Sequence, residues 1–321
     1  MVGYSPGGGT TRQARYMADE WPRFIPGSPD IRVINLTPNV VERNFVWNAE
    51  PDGLTLAVEA TLGVGHLADP QAQFDPREST MLGVTSGAEG VWLIRGTLPY
   101  DCIDDAFGAI QPELTVGLSA LTPEELGHSV SIGWLADRFN VPLEMRNFPG
   151  VGAPEQYRMI ERGDVNSWIT GTIWDQLPVT RPGWARSGYL RPFTDLSPPG
   201  FTPGHNGERN FHCPNFHDTY LENDEERALW LAMRSYVTFG RNVIGPPGMP
   251  AELTQALRGA LTAAMADARF ADGLKAVVGV RNTFIDGATA HRLVADVVDS
   301  FEANRAEIER IQQDVFAKYV R

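Results

Sequence analysis

The chain predicts an α/β fold arranged in two lobes. Short apolar runs alternate with amphipathic helical stretches, and strand, helix and strand follow one another between Ile31 and Glu59. That order builds mostly parallel sheets flanked by helices, with right-handed crossovers. Two extended segments, near Val91 and near Val237, are set to cross between lobes, leaving each lobe discontinuous with a cleft between them. The expected bounds are 1–105 plus 225–321 for the first lobe and 106–224 for the second. A chain of 321 residues is long enough for two domains of ordinary size.

The elements follow in order. Residues 3–11 read Gly-Tyr-Ser-Pro-Gly-Gly-Gly-Thr-Thr, with a helical pattern through Arg12, Ala14, Arg15, Met17 and Ala18 directly behind. Ile31 to Asn35 and Leu54 to Glu59 read as strands, the second after the Pro51-Asp52-Gly53 turn, with a short helix from Val40 to Ala49 between. Gly83 to Ser86, Val91 to Ile94 and Leu114 to Leu118 are further strands. Thr122-Pro123-Glu124-Glu125 gives an N-cap, a proline in the first turn and two acids, opening a helix that runs through Phe139. An extended segment from Pro142 to Phe148 precedes a helix through Gln156, Tyr157, Met159 and Ile160, for which Gly163 is the C-cap. Val165 to Thr170 is a strand, and Pro178 to Asn215 reads as a long irregular excursion. A helix resumes at Asp224, Val237 to Ile244 is extended, and helices over Ala251–Met265, Ala268–Val278 and Thr289–Val320 close the chain.

Composition narrows the function. The net charge of −13 and pI near 4.9 leave no basic stripe to neutralise phosphates, which argues against nucleic acid. A small anion is not excluded, because charges are screened over about 8 Å and local donors decide its binding. No run reaches the ~18 apolar residues of a membrane span. Lys275 and Lys318 are the lysines; arginine supplies the remaining cations. Cys102 and Cys213 stand far apart and allow at most one bridge. No basic and apolar leader precedes the glycine loop, so the N-terminus is expected to be trimmed or its start assigned late.

The glycine run is the first site candidate. Residues without Cβ let backbone N–H groups approach a ligand, and a helix start directs its uncapped N–H groups outward at the positive end of its dipole. Such a turn is an anion cradle. Thr10 and Thr11 then serve either as caps or as ligand donors. Arg15 pairs either with an acid of its own lobe or with a ligand carboxylate, and Asp52 is expected to brace the turn at Gly53. His212, Cys213, His217 and Asp218 have metal-ligand residue types, yet Pro214 and Asn215 break any helix that would fix the two rings. A polar loop is the plainer reading. Trp168 and Trp174 either wall a pocket or pack in the core. No nucleophile elbow, zincin motif or Walker loop occurs, and His66, His128 and His291 lie apart with no nucleophile beside them. The chain is therefore not expected to be an enzyme.

Several segments together resemble the solute-binding proteins of tripartite tricarboxylate transporters, the Bug-type receptors. They are Tyr4-Ser5-Pro6-Gly7-Gly8-Gly9-Thr10 with Ala14-Arg15, Pro51-Asp52-Gly53-Leu54-Thr55-Leu56, Phe148-Pro149-Gly150 with Glu161-Arg162-Gly163-Asp164-Val165, and Gly245-Pro246-Pro247-Gly248-Met249-Pro250 with Ala266-Asp267-Ala268-Arg269-Phe270. Each motif is weak alone; their order along nearly the whole chain is more specific. The resemblance implies a periplasmic receptor with a two-lobed periplasmic-binding-protein fold. It would capture a small carboxylate and hand it to membrane permease subunits, as a monomer without cofactor or resident metal. It places ligand contacts at Tyr4, Ser5, Gly7, Gly8, Gly9, Thr10 and Thr11 in the first lobe, with Thr61 beside them. In the second lobe it places them at Ser119, Ala120, Thr122, Phe148, Gly150 and Thr172. The chain departs from the family pattern at Thr11, where an acid is usual, and at Leu118-Ser119-Ala120-Leu121, which is more apolar than usual. These departures make an aromatic or partly apolar carboxylate as plausible as citrate. The alternatives are a sensory ligand-binding module and a metal-dependent enzyme using the His212–Asp218 cluster.

Overall fold

A computed structural model of the chain describes residues 1–4, 6–60, 71–85, 90–118, 123–148, 153–170, 174, 177, 181–197, 212–234, 240–278 and 284–321. In chain order its helices are α1 (Gly9–Glu20), α2 (Asn39–Trp47), α3 (Pro123–Phe139), α4 (Ala153–Arg162), α5 (Pro182–Ser187), α6 (Phe216–Tyr220), α7 (Asp224–Arg234), α8 (Ala251–Ala266), α9 (Ala268–Val278) and α10 (Gly287–Tyr319). The strands are β1 (Ala57–Glu59), β2 (Thr80–Val84), β3 (Val91–Arg95), β4 (Leu114–Leu118), β5 (Leu143–Asn147), β6 (Ser167–Thr170), β7 (Leu190–Asp195), β8 (Asn242–Gly245) and β9 (Ile285–Asp286).

These residues fall into two units. Unit 1 is Met1–Gly87 with Phe239–Asp299, and unit 2 is Ala88–Thr238 with Ser300–Arg321. Each is discontinuous in sequence. The tail from Ser300 belongs with unit 2 because the end of α10 is tied there. Tyr319 donates its hydroxyl to Asp137 Oδ1 at 2.7 Å, Arg321 N donates to Met145 O at 2.9 Å, and Val315 fills the space where Gly133 lacks a side chain.

Helical spacing explains the helices. Along α10 the buried residues are Ala290, Val294, Val298, Phe301, Ile308, Ile311 and Val315, three, four or seven apart, so one stripe faces the protein. In α8, Leu257, Leu261 and Ala264 form such a stripe. They meet Met17, Trp21, Leu82, Val243, Phe270 and Leu274 in the core of unit 1. The core of unit 2 gathers Val91, Leu93, Tyr157, Ile160, Val165, Trp168, Trp174 and Leu190.

The sheets depart from expectation in strand direction. Unit 1 carries a four-stranded sheet of order β1-β8-β2-β9, and every one of its strand pairs is antiparallel. β1 and β2 flank β8, which returns from the other end of the chain (Ala57↔Ile244 and Met81↔Ile244), so strands adjacent in sequence are not adjacent in the sheet. Unit 2 carries a five-stranded sheet of order β5-β4-β6-β3-β7. Here β4 runs parallel to β5 and β6, as expected, while β3 is antiparallel to β6 and β7. The expectation of mostly parallel sheets thus holds for part of one sheet.

Two local expectations are also corrected. Ile31 to Asn35 forms no strand; it makes a single bridge, Val2 with Asn35. The stretch 178–215 is not irregular throughout, since it contains α5 and β7. Pro192 hid that strand, and it is tolerated because β7 lies at the sheet edge, where a missing N–H costs little. Among the described residues no helix is long and apolar enough to cross a membrane.

Cys102 and Cys213 form a disulfide, with Cα atoms 5.4 Å apart and a sequence separation of 111. A loop of that size removes about 4–5 kcal/mol of chain entropy from the unfolded state. Replacing both cysteines by serine is expected to lower unfolding stability by a comparable amount, read as a shift of the urea midpoint. An unchanged midpoint contradicts a stabilising bridge.

Candidate ligand-binding site

The glycine run leads directly into α1. Gly8 occupies the N-cap in extended conformation (φ −69°, ψ 159°), and no side chain caps the helix. The threonines are therefore not caps, as one sequence reading allowed. Both lie inside the first turn and are buried. Thr11 Oγ1 accepts from Asn35 Nδ2 at 2.9 Å, and the same amide donates to Tyr4 O at 2.7 Å, so Asn35 ties the loop to the helix. An α-helix offers no internal acceptor to the first N–H groups, here those of Gly9, Thr10 and Thr11. The helix continues through Arg12 N, which bonds Gly8 O at 3.0 Å.

The structure adds a cation that sequence reasoning missed. Arg241, immediately before β8, is 6% exposed. Its Nη1 donates to Gln13 Oε1 at 3.1 Å and its Nε contacts Thr10 Oγ1 at 3.4 Å. Gln13 Nε2 in turn donates to Thr85 Oγ1 at 2.5 Å, and the Thr85 N–H donates to Arg241 O at 2.9 Å. One network thus joins the start of α1, the residue after β2 and the residue before β8. Burial lowers the Arg241 pKa to about 10, with smaller effects from Tyr4, which raises it, and Arg12, which lowers it. The group remains a cation at neutral pH. Nothing in the sequence distinguishes Arg241 from the other arginines; only the fold brings it to the glycine run.

Gly9 serves space rather than backbone freedom. Neither Gly7, Gly8 nor Gly9 has positive φ. Gly7 is exposed with open space around its Cβ position, whereas a Cβ on Gly9 would sit 2.9 Å from Arg241 Nη2. Arg15 Nη1 donates to Pro6 O at 3.0 Å, a partner that neither sequence reading named. Asp52 does brace its turn, accepting from Leu54 N at 2.9 Å.

Of the remaining predicted contacts, Ser5, Thr61, Ser119, Ala120, Thr122, Gly150 and Thr172 lie outside the described residues. Phe148 is described: its N–H donates to Leu118 O at 2.8 Å and its ring packs partly buried against the unit 2 core. Trp168 and Trp174 are members of that core, the plainer of their two readings.

The metal reading of the His212–Asp218 cluster is corrected. Cys102, His212 and Cys213 do lie close enough to share an ion, but the two sulfurs are bonded to each other and offer no thiolate. His212 Nε2 lies 3.1 Å from Asp101 Oδ2, and His217 Nδ1 lies 2.7 Å from Asp218 Oδ1. The histidines thus face carboxylates on separate elements.

No family model matches the chain, and no curated protein matches it. Solved structures do. A TctC solute-binding protein from Polaromonas, solved without ligand, is 14% identical with a TM-score of 0.66, covering 95% of this chain and 96% of its own. A Rhodopseudomonas palustris protein solved with adipate is 18% identical with a TM-score of 0.65, covering 97% and 96%. MatC from the same organism, solved with malate, is 15% identical with a TM-score of 0.63, covering 94% and 96%. The chain has the fold of these periplasmic binding proteins along nearly its full length.

Gly9→Val is expected to displace the buried guanidinium and cost about 1–3 kcal/mol of stability, while Gly7→Ala stays within about 0.5 kcal/mol of the parent. Thermal unfolding of the two variants side by side checks the contrast; equal losses would contradict it.

Proposed function

We propose that the chain is the solute receptor of a tripartite secondary transporter of the tricarboxylate type. It captures a small carboxylate outside the cytoplasm and hands it to membrane permease subunits without transforming it. The observation that carries this reading is the buried guanidinium of Arg241 beside the uncapped first turn of α1. Two of its bonds go to neutral oxygens, which hold the cation beside that turn. Burying a charge costs several kcal/mol, and an incoming carboxylate offsets part of that cost by direct attraction in a weakly screened setting.

The fold supports the same assignment, since proteins sharing it have been solved with malate and with adipate. A disulfide suits an oxidising compartment such as the periplasm. In this reading the first-turn amides of Gly9 and Thr10 receive one carboxylate oxygen and Arg241 supplies the charge. The side chains of Thr10 and Thr11 take a supporting role, because each already bonds within the protein. Tyr4, Ser5, Gly7, Gly8, Thr61, Ser119, Ala120, Thr122, Phe148, Gly150 and Thr172 complete the proposed contacts. The receptor acts as a monomer, with no cofactor.

A thermal-shift screen of mono- and dicarboxylates, aliphatic and aromatic, tests the reading. A true ligand at about 100 times its dissociation constant adds about 2.7 kcal/mol of stability. For that ligand Arg241→Gln is expected to weaken binding by about 1.5–3 kcal/mol, measured by calorimetry. No stabilisation by any carboxylate, or unchanged affinity in the variant, would overturn the assignment.

A further inference from the structure

A second buried arginine lies in unit 2 and the proposed site does not use it. Arg234, the last residue of α7, is 4% exposed. Its Nη1 lies 3.0 Å from Nδ1 of His128 on α3. A guanidinium only donates hydrogen bonds, so Nδ1 must carry the lone pair and the imidazole must be neutral, with its proton on Nε2. The only place for a second proton on that ring is the atom that already accepts Arg234. Gly90, just before β3, has no room for a Cβ, which would fall on Arg234 Nη2, so the guanidinium is enclosed on that side too.

We propose that His128 and Arg234 form an acid-released latch joining α3 to α7 within unit 2: the contact holds while the imidazole is neutral and is broken when Nδ1 takes up a proton. The proton comes from solvent and stays on the ring. Two cations are then left in contact, and α3 loses this one tie to the end of α7, while Arg138–Glu226 and Trp134–Trp230 still join the two helices. Among the described residues the charged group acting on His128 is Arg234 from α7, and the one acting on Arg234 is Asp195 at the end of β7. The Asp195 carboxylate accepts from Ser197 N at 2.8 Å and is also bonded by Asn215. On α3 itself the adjacent Ser129 and Ser131 are uncharged.

The direction of the effect follows from proton linkage. Burial, and then the charge of Arg234, hold His128 well below the ordinary imidazole value. The unfolded chain therefore takes up this proton near pH 6.5, before the folded one does. The contribution is whole above about pH 6.5 and falls below it by up to tenfold in the folding equilibrium per pH unit, until the folded state protonates too. Asp195 acts oppositely. Burial raises its pKa, so on acidification the folded state binds that proton first. The difference between the parent and a His128 variant isolates the latch.

The latch has a functional side that rests on the receptor reading above. Residues 119–122, proposed there to touch the carboxylate, run directly into α3. Loss of the contact at His128, near the start of α3, is then expected to weaken ligand capture in acid.

The test compares the full chain with His128→Asn, whose amide oxygen accepts the same bond and does not titrate. NMR of the His128 ring from pH 8 to 5 is expected to show a neutral ring, protonated on Nε2, through pH 6, and a midpoint moved up toward 6.5 in Arg234→Met. Urea unfolding over the same range is expected to show the parent losing up to tenfold per pH unit relative to His128→Asn. A parent ring that titrates near 6.5, or identical pH profiles for parent and variant, would overturn the latch. Calorimetry with adipate and malate adds the functional arm: affinity is expected to fall in acid more for the parent than for His128→Asn. If neither compound binds at any pH, their choice as ligands in the receptor reading fails, while NMR and unfolding still decide the latch.

Discussion

One buried charge organises the described part of unit 1. The Arg241 guanidinium reaches the first turn of α1, while its backbone carbonyl receives the Thr85 N–H at the end of β2. Gln13 stands between them, accepting from the arginine and donating to the threonine. A charge of this kind costs several kcal/mol to desolvate, so each neighbour is constrained. Gly9 must lack a side chain, Gln13 must present an amide, and Thr85 must present a hydroxyl. Gly9, the helix start and the ends of β2 and β8 are thus linked through one side chain.

Much of the element order was legible in the sequence because it is written in local spacing. α3 is announced by Thr122-Pro123-Glu124-Glu125 and α10 by its three- and four-residue apolar stripe. Strand direction was not legible. β8 inserts between β1 and β2 from more than 150 residues away, and no local signal records which strands a returning segment will separate. The same limit hid Arg241. Its sequence neighbours say nothing about Gly9 or Gln13, since that proximity exists only once β8 has joined its sheet. Where the site was legible, as at the glycine run, the signal was compositional. It pointed to backbone without Cβ atoms, open to a ligand; what it did not announce is that Gly9 also leaves room for the Arg241 guanidinium.

Arg241 and Arg234, both buried, solve the same problem differently. Each lies against a glycine that cannot carry a Cβ, Gly9 for Arg241 and Gly90 for Arg234. Arg241 is steadied by a hydroxyl and an amide, neither of which titrates near neutrality. Arg234 leans on an imidazole whose pKa is held well below the ordinary value by burial and by the guanidinium's charge.

The bridge between Cys102 and Cys213 turns the stretch between them into a covalent ring. That ring carries β4, β5, β6 and β7, together with α3, α4 and α5, and excludes β3, which pairs with two of its strands. A single backbone cut anywhere inside it opens the ring without dividing the molecule. Protease damage there produces two new ends and no lost fragment, and such a nick escapes notice on any gel run without a reducing agent.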